Sequence, residues 1–260
     1  MDIGVIILLV CAGILVGVIN TFAGGGAALT IAVFTALGMP VNIANGTNRI
    51  PVLFQCLTMS ATFHKQGYLD YKTGLKLSIP TVVGAIVGAQ FASVVSNSLL
   101  TILLAIILII LLIVLLFNPE KAMRTSALAP RQPRATDFFL FLLIGLYGGC
   151  FHIGVGYFIL AVVIMGMGYN LLEANALKGF IVLMYIPFSL TIFFIHGQVE
   201  VMYGVVHGIG NIIGSYVAAR YARFFGMKFL RLFLITFIVI TILDLFAIIN
   251  IQKFLLNILQ

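Results

Sequence analysis

Apolar residues in this chain run in long unbroken blocks rather than alternating or forming a single helical stripe. The blocks fall at 3–22, 27–40, 44–63, 74–96 and 98–117, and again at 137–151, 156–169, 174–195, 202–224 and 229–249. Stretches such as 98–117 and 229–249 carry almost no charge over their whole length. About twenty apolar residues suffice for a helix to cross a hydrocarbon core of about 30 Å. Alternation every second residue, the mark of a membrane β-barrel, is absent. The pattern predicts an all-α polytopic membrane protein. The first block follows Asp2 instead of a basic residue, so it reads as a retained span and not a secretory signal.

The two series of blocks are in register. A shift of 130 residues superposes Gly24 on Gly154, Gly26 on Gly156, Gly38 on Gly168 and Asn45 on Asn175. It also pairs Gly67 with Gly197, Gly74 with Gly204 and Gly84 with Gly214. Chance placement would give about one glycine pair. The chain therefore divides into a first transmembrane repeat at 1–117, a basic linker at 118–136 and a second repeat at 137–260. Each repeat has five hydrophobic helical segments and a Gly-rich break. An odd number of crossings turns the second copy upside down, the inverted-topology plan of many secondary transporters.

Charge tests that reading. Hydrophobic residues make up 62% of the chain and charged residues 8%, against about a quarter charged in soluble domains. The net charge of +7 gathers in short loops, so it speaks for membrane orientation and against nucleic acid. His64, Lys65, Lys72 and Lys76 crowd one loop of the first half, whereas 194–206 carries only His196 and Glu200. At the next loop the bias reverses: Arg220, Arg223, Lys228 and Arg231 face an uncharged 90–101. Positive-inside logic makes 64–76, 118–136 and 220–231 cytoplasmic and puts both termini outside. Lys121, Arg124, Arg131 and Arg134 in the linker are explained by the same rule. Cys11, Cys56 and Cys150 lack paired spacing and read as buried, reduced thiols.

The second block of each half, 27–40 and 156–169, is too short to span comfortably, and a glycine cluster precedes each. The first reads Asn20-Thr21-Phe22-Ala23-Gly24-Gly25-Gly26, the second Gly148-Gly149-Cys150-Phe151-His152-Ile153-Gly154-Val155-Gly156. Interrupted backbone inside a membrane survives where protein encloses it or a wet cavity meets it. A helix starting after such a break offers free amides and the positive end of its dipole to an anion. Close packing through small residues is the competing explanation, and it fits Gly84-x-x-x-Gly88 and Gly204-x-x-x-Gly208 better than the paired clusters. Asn45-Gly46-Thr47-Asn48-Arg49 and Asn175-Ala176-Leu177-Lys178 follow downstream, each adding a cation. Arg49 falls on the side where topology asks for none, as a counter-charge would; Lys178 could equally snorkel. His152 could donate to an anion, carry a proton or be a satisfied structural donor. Cys150 could touch substrate or pack. Glu173 suits a helix cap, and Asp244 a coupling role.

These residues resemble the TauE/SafE sulfite exporter family: the break Asn20 to Gly26, then Asn45-x-x-Asn48-Arg49, and their repeat from Gly148 to Lys178. The resemblance covers essentially the whole chain and implies a permease for sulfite, sulfonates or related sulfur oxyanions. It supports a substrate site of Asn20, Thr21, Gly24, Gly25, Gly26, Asn45, Asn48, Arg49, Cys150, His152, Gly154, Gly156, Asn175 and Lys178. One departure is Cys150-Phe151-His152 where small residues are expected. The expected mechanism is alternating access driven by a proton or sodium gradient, without catalytic residues, cofactor or metal; no phosphate-cradling Gly-Lys-Ser/Thr ending is present. A passive anion channel would share every feature but coupling. An intramembrane enzyme using His152 or His207 lacks its expected motifs.

Overall fold

The computed structural model describes residues 1–22, 25–116 and 130–222, with isolated helical positions at 235, 239 and 243. Gly24, most of the linker, Asp244 and the basic residues Arg223, Lys228 and Arg231 lie outside the described residues. Among the described residues every regular element is helical: α1 Ile3–Phe22, α2 Ala27–Ala36, α3 Val41–Thr47, α4 Arg49–Lys65, α5 Tyr71–Val94 and α6 Asn97–Leu116, then α7 Ala135–Cys150, α8 Val155–Leu160, α9 Leu171–Ile195 and α10 Val201–Arg220. A π-helical turn, Ala161–Gly166, extends α8. Four of these helices, α1, α5, α9 and α10, are long and apolar enough to cross a membrane.

Both expected breaks are present. α1 stops at Phe22 and α2 starts at Ala27; α7 stops at Cys150 and α8 starts at Val155. At the second break His152 and Gly154 both hold positive φ, 61° and 69°. A histidine in the left-handed region costs about 1–3 kcal/mol and persists only when its surroundings fix it. The third block differs between halves. In the first it is split into α3 and α4 around Asn48, and in the second it is the single helix α9. Pro51 explains the difference, because its ring clashes with the carbonyl four residues back and supplies no amide to it. Its counterpart, Ile181, imposes no such break.

Helix ends follow local chemistry. Asp70 accepts the Thr73 amide at 3.2 Å and caps α5. Asn170 and Glu173 form a reciprocal capping box on α9, which is the capping role foreseen for Glu173.

The helices pack in two tight pairs, α1 with α10 and α5 with α7. A methyl added at Gly88 would stand 1.9 Å from the Leu146 carbonyl, and one at Gly214 1.9 Å from that of Ile14. Only glycine lets the backbones approach this closely, the small-residue packing expected of membrane helices. Gly204 and Gly208 instead receive the side chains of Ile50 and Phe54 on α4. Polar groups turn inward, among them Asn45, Asn48, Arg49, Gln55, Lys178 and Asn211. Ile79, Val83, Val87 and Phe91 of α5 and Ile102, Ile106 and Ile110 of α6 are exposed on the outside. Such an apolar exterior suits lipid as solvent. Of the three cysteines expected to be buried, the structure buries Cys56 and Cys150 and leaves Cys11 exposed.

Direction along the bundle is readable from contacts between halves. Tyr169 donates to Asp70 at 2.8 Å, and Gln66 donates to the Ala219 carbonyl at 3.3 Å. The start of α5 and the end of α10 thus share one end of the bundle. At the other end Gln198 donates to the Ser93 carbonyl and the Glu200 amide to Thr47 Oγ1. The end of α5 and the start of α10 meet there.

Candidate functional site

Each half sends a cation into the break of the other. Lys178 on α9 donates to the Asn20 and Thr21 carbonyls at the end of α1, at 3.0 and 2.8 Å, and to Asn175 Oδ1 at 2.7 Å. Arg49 at the start of α4 donates to the Gly148, Gly149 and Cys150 carbonyls at the end of α7, at 2.8, 2.8 and 3.2 Å. The guanidinium also lies 5.2 Å from the centre of the Phe193 ring. Asn45 reinforces this cluster by donating to the Cys150 carbonyl at 2.8 Å. Interrupting a helix leaves its last carbonyls unpaired and its negative dipole end bare, and a cation answers both. The breaks are therefore held open by residues of the opposite half.

The amino ends of the second helices are also supported. Asn20 Oδ1 accepts the Gly26 amide at 2.6 Å, while Asn20 Nδ2 donates to Gln55 Oε1 at 3.0 Å. A Cβ at Gly26 would meet that Asn20 oxygen at 2.9 Å, so glycine is needed for the approach. Across the bundle His152 Nδ1 and the Tyr185 hydroxyl are 2.5 Å apart. Tyr147 fastens the same break by donating to the Ile153 carbonyl at 2.5 Å.

Between the breaks lies a small cavity of about 20 Å³, bounded by Asn20, Gln55, Cys56, His152, Gly156 and Lys178, with Val52, Met59, Gly179 and Val182. Of the residues singled out in the sequence, it brings together Asn20, His152, Gly156 and Lys178. Thr21 and Asn175 stand behind Lys178 as its acceptors. Arg49, Asn45 and Cys150 form the separate cluster at the end of α7. Gly25 and Gly26 open α2, and Gly154 packs its left-handed backbone on Leu111. Asn48 is fully buried, and among the described residues neither of its side-chain polar atoms has a partner.

Gln55, Cys56 and Tyr185 were not anticipated. A lone amide within the apolar start of α4 was the available signal for Gln55, since a polar side chain inside a membrane helix is costly and calls for a role. Nothing in sequence distinguishes Tyr185. The residues 130 positions from Gln55, His152 and Gly179 are Tyr185, Phe22 and Arg49.

Among the described residues neither buried cation has a carboxylate partner. The ion pair among the described residues joins Arg131 to Asp137 at 2.6 Å, near the linker. Arg131 also donates to the Gly166 carbonyl at 2.8 Å, and its amide to that of Met167. Beside it Asp70, Tyr169, Arg131 and Glu173 border a cleft of about 350 Å³ at the end of the bundle.

Comparison with known proteins agrees with the architecture. The sulfite exporter TauE/SafE family matches residues 9–245. A probable membrane transporter protein of Sinorhizobium is 26% identical over 224 residues, covering 85% of this chain and 84% of its own length. A second probable membrane transporter protein, from Haemophilus influenzae, is 24% identical over 237 residues, covering 89% and 91%. No solved structure matches the chain significantly. These relatives are named as transporters and not enzymes. A helical bundle with an apolar exterior, polar interior and paired breaks, matched over most of its length, belongs to the TauE/SafE sulfite exporter family of multi-pass membrane transporters.

Proposed function

We propose that the chain is a secondary permease for a small anion, sulfite, a sulfonate or a related sulfur oxyanion, which binds in the cavity between the two breaks. The observation that carries this reading is the buried Lys178 ammonium at the cavity. Its three acceptors are two carbonyls and an amide, none of them charged. A buried charge without a counter-charge is expensive, and a mobile anion would supply one. Arg49 adds a second positive charge on the other side of the breaks that has no counter-charge among the described residues.

Transport would proceed by alternating access. The contacts that bring the start of α5 to the end of α10 support an inverted relation of the halves, as does the charge bias of the loops. In this reading 1–117 and 137–260 rock about the cavity, the end bearing Asp70 and the linker faces the cytoplasm, and both termini lie outside. His152, Gly156 and Lys178 border the substrate, and Asn20 and Gly26 shape the wall of the cavity beside them. Asn45, Arg49, Cys150, Thr21 and Asn175 hold its walls. A proton or sodium gradient drives the cycle.

The test is sulfite flux into liposomes containing purified protein, measured with and without an opposing concentration gradient. Concentrative, gradient-driven uptake supports a coupled permease. Movement only down the gradient would make the protein a channel, and failure of sulfite, sulfonates and other small anions to move at all would end the proposal.

A further inference from the structure

Lys178 lends the cavity charge, yet all its ammonium protons are engaged. Its partners are the Asn20 carbonyl, the Thr21 carbonyl and Asn175 Oδ1, and an ammonium has three donors. The hydrogen bonds to a guest must come from other groups.

Two side chains at the cavity have a donor to spare. Gln55 accepts from Asn20 through Oε1, and among the described residues its amide nitrogen has no hydrogen-bond partner. His152 is engaged at Nδ1 only. The partner there fixes its tautomer: Tyr185 is fully buried, and its hydroxyl proton has no other acceptor among the described residues. The phenol therefore donates to Nδ1, which leaves the hydrogen on Nε2. The left-handed backbone of His152, φ 61°, holds the ring at this place, and both residues bound the cavity.

We propose that Gln55 Nε2 and His152 Nε2 are the donors that grip the oxygens of the anion, one from α4 of the first half and one from the break of the second. This rests on the cavity being the anion site. The pair suits a guest with at least two separate acceptor oxygens, as in sulfite or a sulfonate, spanning the halves with one hydrogen bond to each. Asn20 and Tyr185 then act as positioning residues, orienting the amide and the imidazole without touching the anion.

The experiment measures the KM for sulfite in proteoliposomes for wild type, Gln55→Met, His152→Asn and Lys178→Gln. Asparagine tolerates the left-handed backbone at 152. Each loss of a hydrogen bond to a charged acceptor should raise the KM about 10- to 100-fold. Gln55→Met and His152→Asn should both do so. Should both retain a wild-type KM while Lys178→Gln raises it, the donor pair is refuted and the anion site stands. A wild-type KM in all three variants refutes the site itself. Gln55→Glu covers the case in which Gln55→Met does not fold, because it still accepts from Asn20 while replacing the donor by a second acceptor. It should be monodisperse and unable to bind sulfite, and wild-type sulfite transport by it would overturn the proposal.

Discussion

Removing the charge of Lys178 tests the electrostatic core of the site. In Lys178→Gln the cavity keeps much of its volume and loses one unit of positive charge. Two opposite charges about 4 Å apart attract by about 4 kcal/mol at an effective dielectric of about 20. About 1.4 kcal/mol corresponds to a factor of ten, so the ceiling on lost affinity is about 1000-fold. Water admitted with the substrate screens part of this, and the expected rise in the sulfite KM is about 100-fold. Lys178 also closes three hydrogen bonds on the end of α1 and Asn175, each worth about 1.5–3 kcal/mol when charge-assisted. The variant should therefore melt lower in detergent as well. Initial rates of sulfite uptake across a wide concentration range give the KM, normalised to the monodisperse fraction. Lys178→Arg, which retains the charge, should keep most of the affinity. A KM within twofold of wild type in Lys178→Gln would refute the claim that this ammonium attracts the substrate.

Arg49→Lys should behave in the opposite sense. Lysine offers one nitrogen where the guanidinium aims two at the Gly148, Gly149 and Cys150 carbonyls, so the maximal rate and melting temperature should fall while the sulfite KM stays within about threefold. Gly88→Ala should cost about 3 kcal/mol, the upper end for overpacking, since a methyl 1.9 Å from the Leu146 carbonyl forces apart α5 and α7; loss of monodisperse protein on size exclusion reads this out. At the end bearing the linker, burial works against the Asp70 carboxylate, but hydrogen bonds from Thr73 and Tyr169 outweigh it and hold its pKa below the ordinary 3.8. The stabilisation of this contact is then fully present above about pH 4 and is lost as pH falls through the lowered value. Thermal melts should show Tyr169→Phe less stable than wild type at pH 7, with the difference shrinking under strong acid.

The helical bundle, the two breaks and the small-residue contacts of α5 were legible in sequence because each follows from local composition. Long apolar blocks fix spans, and paired glycines fix where they stop. The division of labour between the two cations was not legible. Arg49 and Lys178 follow equivalent asparagines, yet one sits at the cavity and the other caps α7. That distinction depends on which long-range partner each side chain reaches, 99 to 101 residues away for Arg49 and 157 to 158 for two partners of Lys178. Gln55 is silent in the sequence for a related reason: one amide in an apolar helix gains meaning only when Asn20 and the second break are brought beside it. Pro51 was a local signal, and it accounts for the split of α3 from α4.

The size of the cavity bears on the cycle itself. A water needs about 10–15 Å³ of such space, so about 20 Å³ admits one water and is too small for sulfite with its four heavy atoms. Among the described residues the halves touch through Tyr169 on Asp70 and Gln66 on Ala219 at one end, and through Gln198 on Ser93 and Glu200 on Thr47 at the other. Each of these bonds joins an element of the first half to one of the second, so the proposed rocking of the halves would break one set while the other persists. The set with a carboxylate acceptor is the stronger, since a hydrogen bond to a charged group contributes about 1.5–3 kcal/mol and a neutral one about 1 kcal/mol. Under the proposed alternating access these contacts make the end away from the linker the one that opens at lower cost, which Tyr169→Phe tests by raising the rate of opening at the Asp70 end. A guest entering there meets Lys178 and the two breaks before the Asp70 latch has to release.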